Sequence, residues 1–373
     1  MAFVTATPQV AALRTDEARA AATTYREVGQ PYLDAMLVGL DARDSLAPAH
    51  HSFQTVLAGW GERAIPRHPA YASFVANSGA PIEFSVAWTR QTVQVRFLAE
   101  PLAEPASLAT NLRYGMERTE RLGLEDGVSL SRFSLIRDLF ESVRDPEPPF
   151  ACWHSGVVRP GRAPEYKIYL NPALAGLARA PELVTTAMAR LGLQEAWANL
   201  VEHLRACGVP VQPVTLALDL DAGPKSRVKA YFRHEDASIE TIERAAALAT
   251  SHSPGSFERL YRLLVDGPGY APRKPPQTCF AFHGDDPRPS SATFYLPLDP
   301  NVDSDAVAVE RVTRLLRSTG IDEAPYLAMT EAVRPVGSSL AETHMQSYVG
   351  YSDADGGRVI VYLAPAGDHW TPC

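Results

Sequence analysis

Residues 226–232, Ser226-Arg-Val-Lys-Ala-Tyr-Phe232, alternate in character at every step. Arg227, Lys229 and Tyr231 are polar or amphipathic, while Val228, Ala230 and Phe232 are apolar. Side chains of a strand point to opposite faces in turn, so this run is a strand with one cationic, tyrosine-bearing face and one greasy face. It follows a second β-like run, Pro213–Leu220, across a short turn segment, and the two read as a hairpin. Four more pairs have the same form: Pro81–Trp88 with Thr92–Leu98, Ala151–Val158 with Glu165–Leu170, Gln277–His283 with Ala292–Leu298, and His344–Tyr351 with Arg358–Leu363. Aligned on Arg96, Lys167, Lys229, Tyr295 and Tyr362, the second strands recur at steps of 71, 62, 66 and 67 residues. Such regularity marks an internal repeat.

Helical stretches separate the hairpins. Ala106–Leu122, Leu130–Val143, Pro181–Cys207, Ser238–Thr250 and Asp303–Ser318 read as helices, and Pro8–Leu40, broken at Pro31, precedes the first hairpin. The expected fold is α+β, with ten antiparallel strands surrounded by helices. Closing the sheet removes its exposed edges, and ten strands enclose more room than the eight that side chains just fill. Residues 1–373 are therefore expected to form one domain of five αββα-like repeats around a usable lumen, with N-terminal helices in 8–60 packed outside.

The 35 basic and 43 acidic residues give a net charge of −8, which disfavours a nucleic-acid partner. A hydrophobic share of 46% and a charged share of 21% suit a globular chain. No run is long and apolar enough for a membrane span, and Met1–Pro8 lacks the features of a secretory leader, so a cytoplasmic protein is expected. Cys152, Cys207, Cys279 and Cys373 form no CxxC or Cys/His ligand spacing, and no structural metal is expected. Asp219-Leu-Asp221 reads as a partner for nearby cations rather than a metal motif, and Asp285-Asp286-Pro-Arg as a turn. No P-loop, GxGxxG or Gly-x-Ser-x-Gly elbow occurs. Gly267-Pro-Gly269 and the prolines up to Pro276 read as a connector or a lid.

If helices cover the apolar stripes, the polar stripes face the lumen. Arg96, Lys167, Arg227 and Lys229 then meet there, with Arg358 either joining them or staying in solvent. Gathered cations need an anion, and a diphosphate ester with about three negative charges suits Arg and Lys donors. Tyr169, Tyr231, Tyr295, Tyr348 and Tyr362 supply aromatic faces that favour a cation at the same place. An anion beside a transient cation describes an allylic diphosphate undergoing ionisation.

These stretches resemble the aromatic prenyltransferases of the ABBA fold, specifically the dimethylallyltryptophan synthase type with its bacterial tryptophan dimethylallyltransferases. The resemblance rests on Pro81-Ile-Glu-Phe-Ser, Val95-Arg-Phe, Tyr166-Lys-Ile-Tyr-Leu-Asn-Pro172, Ser226–Phe232, Thr293-Phe-Tyr-Leu-Pro297 and the Tyr348…Tyr362 pair. It implies that Glu83 accepts the indole N–H, unless it serves only as an internal ion-pair partner. It also implies that Arg96, Lys167, Arg227 and Lys229 clamp the diphosphate, and that the five tyrosines shield the allyl cation. Thr293 stands where the family often carries Gln. His154 lies near the place of a proton-transferring lysine in C4-prenylating members, and is read as either a ring-proton acceptor or an ordinary core or surface histidine. The implied substrates are dimethylallyl diphosphate and L-tryptophan or a related indole. No metal or cofactor is implied, the ring position leans to C6, and the chain is expected to be a monomer or homodimer.

Overall fold

The computed structural model describes residues 23–66, 69, 71–143, 145–265 and 274–365. The ten strands are β1 (Ile82–Trp88), β2 (Val93–Ala99), β3 (Cys152–Val158), β4 (Glu165–Leu170), β5 (Pro213–Asp219), β6 (Val228–Arg233), β7 (Gln277–Phe282), β8 (Ser291–Pro297), β9 (Gln346–Ser352) and β10 (Arg358–Leu363). Each pairs antiparallel with its sequence neighbours, and β1 pairs with β10 through Phe84–Leu363 to Trp88–Val359, closing the barrel. Closure satisfies both edges of a sheet that would otherwise leave unpaired backbone groups.

A helix pair precedes every hairpin. These are α1 (Tyr25–Gly39) and α2 (Leu46–Leu57), α3 (Leu108–Glu125) and α4 (Ser131–Glu141), α5 (Ala180–Arg190) and α6 (Gln194–Ala206), α7 (Ile239–Ala246) and α8 (Ser256–Leu264), and α9 (Asp305–Thr319) and α10 (Ala324–Val333). The apolar strand stripes meet this helical layer. Phe53 of α2 packs edge-on against Phe97 of β2 at 5.1 Å, and Trp197 of α6 stacks with Phe232 of β6 at 6.2 Å. The helical ring also closes, because α1 packs against α10. At that crossing a Cβ on Gly39 would lie 2.6 Å from the Met329 Cα, so only glycine permits the approach. None of the described helices is long and apolar enough to cross a membrane.

Two expectations about the helices need correcting. Pro31 lies inside α1 and does not break it. It sits on the exposed side of the helix, where the Glu27 carbonyl that loses its partner also faces solvent, while Gly29, Leu33, Met36 and Leu37 hold the other side in the core. Pro181–Cys207 is two helices, because Gly192 takes φ +74° between α5 and α6. Two helices, α8 and α10, escape the sequence pattern: α8 spans only nine residues, and α10 (APYLAMTEAV) has apolar residues on its exposed side as well, so no stripe marks its buried face. Residues 8–22 of the first expected helix and Gly267–Gly269 lie outside the described residues.

Candidate active site

The lumen has two chemically distinct ends. Strand alternation and the pairing register place Gln94, Arg96, Val157, Arg159, Lys167, Arg227 and Lys229 around a cavity at the end formed by the hairpin turns. Tyr169, Tyr231, Tyr295 and Tyr362 floor it.

Lys167 lies directly across from Asp219 on β5, which is why the two side chains meet. Asp219 Oδ2 also accepts from Arg227 Nε at 2.9 Å and from the Arg227 backbone N–H at 3.1 Å. Burial raises the Asp219 carboxyl, but Lys167, Arg227 and Lys229 outweigh it and hold it well below the usual carboxylate range. Lys167, by contrast, is pushed down to about 7 by burial, with Asp219 pulling back and Arg227 adding to the fall. Lys229 is lowered strongly by burial and then by Arg227. Arg159 pairs with Glu165 and Arg358 with Asp355, and burial plus the neighbouring guanidinium groups bring both arginines down to about 10. Among the described residues Arg96 has no carboxylate partner: Nη2 donates to Gln94 Oε1 at 2.8 Å, and its buried Nε meets no acceptor. Six basic side chains thus share three carboxylates, Asp219, Glu165 and Asp355, and an anion bound among them would hold Lys167 and Lys229 in their charged forms.

Below the cations runs a chain of aromatic rings. Tyr169–Tyr231, Tyr231–Tyr295, Tyr295–Tyr362 and Tyr362–Tyr348 have centroid separations of 6.2, 6.0, 5.9 and 6.3 Å. Trp153 extends the chain at 6.5 Å from Tyr169. Gly350 makes room in this layer, since a Cβ there would lie 2.9 Å from the Tyr295 ring. Burial holds the phenols of Tyr169, Tyr231, Tyr295 and Tyr362 above the ordinary tyrosine value, so they present neutral rings and hydroxyl groups.

Beyond the rings lies Glu83 of β1. It is buried, accepts from Ser347 Oγ at 2.6 Å, and has its carboxyl pushed up by burial, with Ser347 and Lys274 pulling it back. Lys274 sits 4.3 Å from the Tyr348 ring centroid, and Gln277 Nε2 donates to Tyr348 Oη at 3.3 Å.

The structure therefore gathers Arg96, Lys167, Arg227, Lys229, Tyr169, Tyr231, Tyr295, Tyr348, Tyr362 and Glu83 about one lumen. Arg358, left open by sequence, joins the field of the cationic end. His154 does not belong to the set. It is opposite Ile168 and Ala99, on the outer face of β3, and its Nε2 meets Thr119 Oγ1 of α3 at 2.8 Å. Its neighbours Trp153 and Ser155 take the lumen side, because one step along a strand reverses the face. Burial and Arg118 lower His154 to about 3, so it stays neutral in the helix-packed layer, and the proton-acceptor reading is corrected. His154→Gln is expected to cost about 1 kcal/mol of stability through the Thr119 contact. Turnover and its pH profile should be unchanged; a lost basic or acidic limb would return His154 to the chemistry.

Sequence reasoning missed Arg159, Trp153 and Lys274. Arg159 and Trp153 continue the alternating stripe of Ser155 and Val157, a signal that was available. Lys274 precedes β7 in an irregular, proline-rich segment where no periodicity points to a face.

A closed ten-stranded barrel inside a ring of helices, with a cationic end, a tyrosine layer and a buried carboxylate, defines an aromatic prenyltransferase of the ABBA fold. The chain belongs to the tryptophan dimethylallyltransferase family, whose model matches residues 53–329. It is similar to the solved 6-dimethylallyltryptophan synthase of Micromonospora olivasterospora in complex with DMASPP and Trp, at 28% identity over 94% of this chain and 99% of that one, with a TM-score of 0.82. It is also similar to the 5-dimethylallyltryptophan synthase of Streptomyces coelicolor, at 25% identity over 94% and 100% of the two chains, with a TM-score of 0.84.

Proposed function

We propose that this protein transfers a dimethylallyl group from dimethylallyl diphosphate to the indole of L-tryptophan, with C6 the expected ring position. The observation that carries this reading is the order of groups along the lumen: cations, then tyrosine rings, then a buried carboxylate. The cationic end binds the diphosphate and stabilises the charge that develops on it as the C–O bond ionises. The bonding pair leaves with the bridging oxygen, and the allyl cation remains against the tyrosine faces, which attract it and exclude water. Glu83 accepts the indole N–H, the ring carbon forms the new C–C bond, and its proton passes to the released diphosphate or to water, which restores aromaticity.

Metal independence is part of the proposal. Metal-dependent prenyl transfer uses carboxylate-held Mg²⁺ to neutralise the diphosphate, whereas here Arg96, Arg159, Lys167, Arg227, Lys229 and Arg358 supply the positive charge. Among the described residues no group of three His, Cys, Asp or Glu side chains could hold a metal ion. The proposal also includes a cytoplasmic enzyme of one five-repeat domain, working as a monomer or homodimer.

Incubation with L-tryptophan and dimethylallyl diphosphate in excess EDTA is expected to yield a product heavier by one C5 unit. NMR of that product should show substitution at C6. Substitution elsewhere would correct only the regiochemistry. A product with an indole-containing dipeptide and none with tryptophan would move the acceptor class. Tight diphosphate binding with no product from any indole would make the barrel a carrier of anionic amphiphiles.

A further inference from the structure

We propose that a β-bulge at Ser347 is a positioning device for Glu83. It turns the Ser347 hydroxyl into the lumen, where it holds one carboxylate oxygen and leaves the other to accept the indole N–H. This rests on the Glu83 reading above and adds the residue that aims the carboxylate.

The strand register defines the bulge. Consecutive residues of β10, Tyr362 and Leu363, face Tyr348 and Gln346 of β9, so Ser347 is an extra residue on its strand. Strict alternation would send Ser347 to the helix side and Gln346 to the lumen, given that Tyr348 faces inward. The bulge reverses both. Gln346 points outward, where Tyr326 Oη of α10 donates to its Oε1 at 2.8 Å. Ser347 is buried on the lumen side, and its Oγ donates to Glu83 Oε1 at 2.6 Å. Two adjacent residues, Ser347 and Tyr348, thus serve the same lumen.

The surrounding backbone fixes the bulge independently of Glu83. Asp305, the first residue of α9, is buried and accepts the Met345 N–H at 2.7 Å and the Gln346 N–H at 2.9 Å. The Ala364 N–H donates to the Met345 carbonyl at 2.8 Å, and the Leu298 N–H donates to the Ser347 carbonyl at 2.9 Å. The hydroxyl is therefore a fixed point to which the carboxylate is tied. Among the described residues Glu83 Oε2 meets no donor, which leaves it for the indole. A donated hydrogen bond also favours the ionised carboxyl, against the burial that raises it. Lys274 is the cation that acts on Glu83 in the same sense. Tyr32 of α1, Tyr348 and Tyr362 also lie in its field, and burial holds their phenols above the ordinary tyrosine value, so they stay neutral.

The test measures kcat/KM for L-tryptophan against pH in wild type, Ser347→Ala and Ser347→Thr, and repeats Ser347→Ala in a Glu83→Ala background. Ser347→Ala is expected to lose about 10- to 100-fold, mainly in kcat, the range for one hydrogen bond to a charged group. Without the donor Glu83 keeps its proton to higher pH, so the acid limb moves upward and the loss is largest at low pH. Ser347→Thr retains the hydroxyl and should restore both rate and limb. In the Glu83→Ala background the same change should alter the residual rate by less than about twofold, because no carboxylate is left to hold. Ser347→Ala at the wild-type rate with an unmoved limb overturns the proposal, as does an equal loss in both backgrounds or a Ser347→Thr variant as slow as Ser347→Ala. Each of these beside an impaired Glu83→Gln overturns this proposal alone. Glu83→Gln that turns over like wild type overturns the Glu83 reading, and this proposal with it.

Discussion

Glu83→Gln is expected to lower kcat/KM for L-tryptophan by about 10²- to 10³-fold, as losses of a single group aimed at developing charge commonly do. The substitution keeps the shape of the side chain and the Ser347 contact, so folding should survive. What it removes is the negative charge. In the attacking indole, positive charge reaches the ring nitrogen only as the new bond forms, so an ionised acceptor favours the transition state more than the bound ground state. The effect should therefore fall mainly on kcat, with KM for the diphosphate almost unchanged. A pH profile gives a second reading. Burial holds the Glu83 carboxyl above the ordinary value of about 4.3, and only the carboxylate is useful. Wild-type kcat/KM should thus rise with pH along an acid limb that lies above the usual glutamate range, and Glu83→Gln should lack that limb. Turnover within a few-fold of wild type, with the limb intact, would remove Glu83 from the mechanism.

Asp219→Asn should cost about 3 to 5 kcal/mol in the absence of an anion, because it leaves Lys167 and Arg227 together without their shared carboxylate. Inorganic diphosphate supplies the missing charge. Denaturation with and without it should show a larger stabilisation of the variant than of wild type. Equal stability of the two proteins, with equal response to diphosphate, would show that Asp219 does not balance the cationic end. The choice of Asp219 follows from its position: it faces Lys167 across β4 and β5 and reaches Arg227 across the β5–β6 turn.

Much of this site was legible in the chain because a strand writes its geometry in a period of two. Arg96, Lys167 and Lys229 share a stripe position with Tyr295 and Tyr362, and the apolar alternates Val95, Ile168 and Val228 declare the covered face. His154 came from the resemblance and not from this rule, and its pairing opposite Ile168 and Ala99 places it on the other face. Pro31 misled for another reason: the cost of proline inside a helix is fixed, but whether packing outweighs it depends on a core that the local sequence does not contain.

By itself the sequence determined the ten strands, their two faces, and therefore the kinds of groups the lumen would hold. These are local properties, set by backbone alternation and by the need to bury apolar stripes. Only the tertiary structure decided which groups meet. The β1–β10 pairing that closes the barrel and the Ser347–Glu83 bond join residues more than 260 apart in the chain. The placement of Lys274 over Tyr348 depends on an irregular segment. Such contacts have no period to read, because they follow from closure of the barrel and from charge balance inside it.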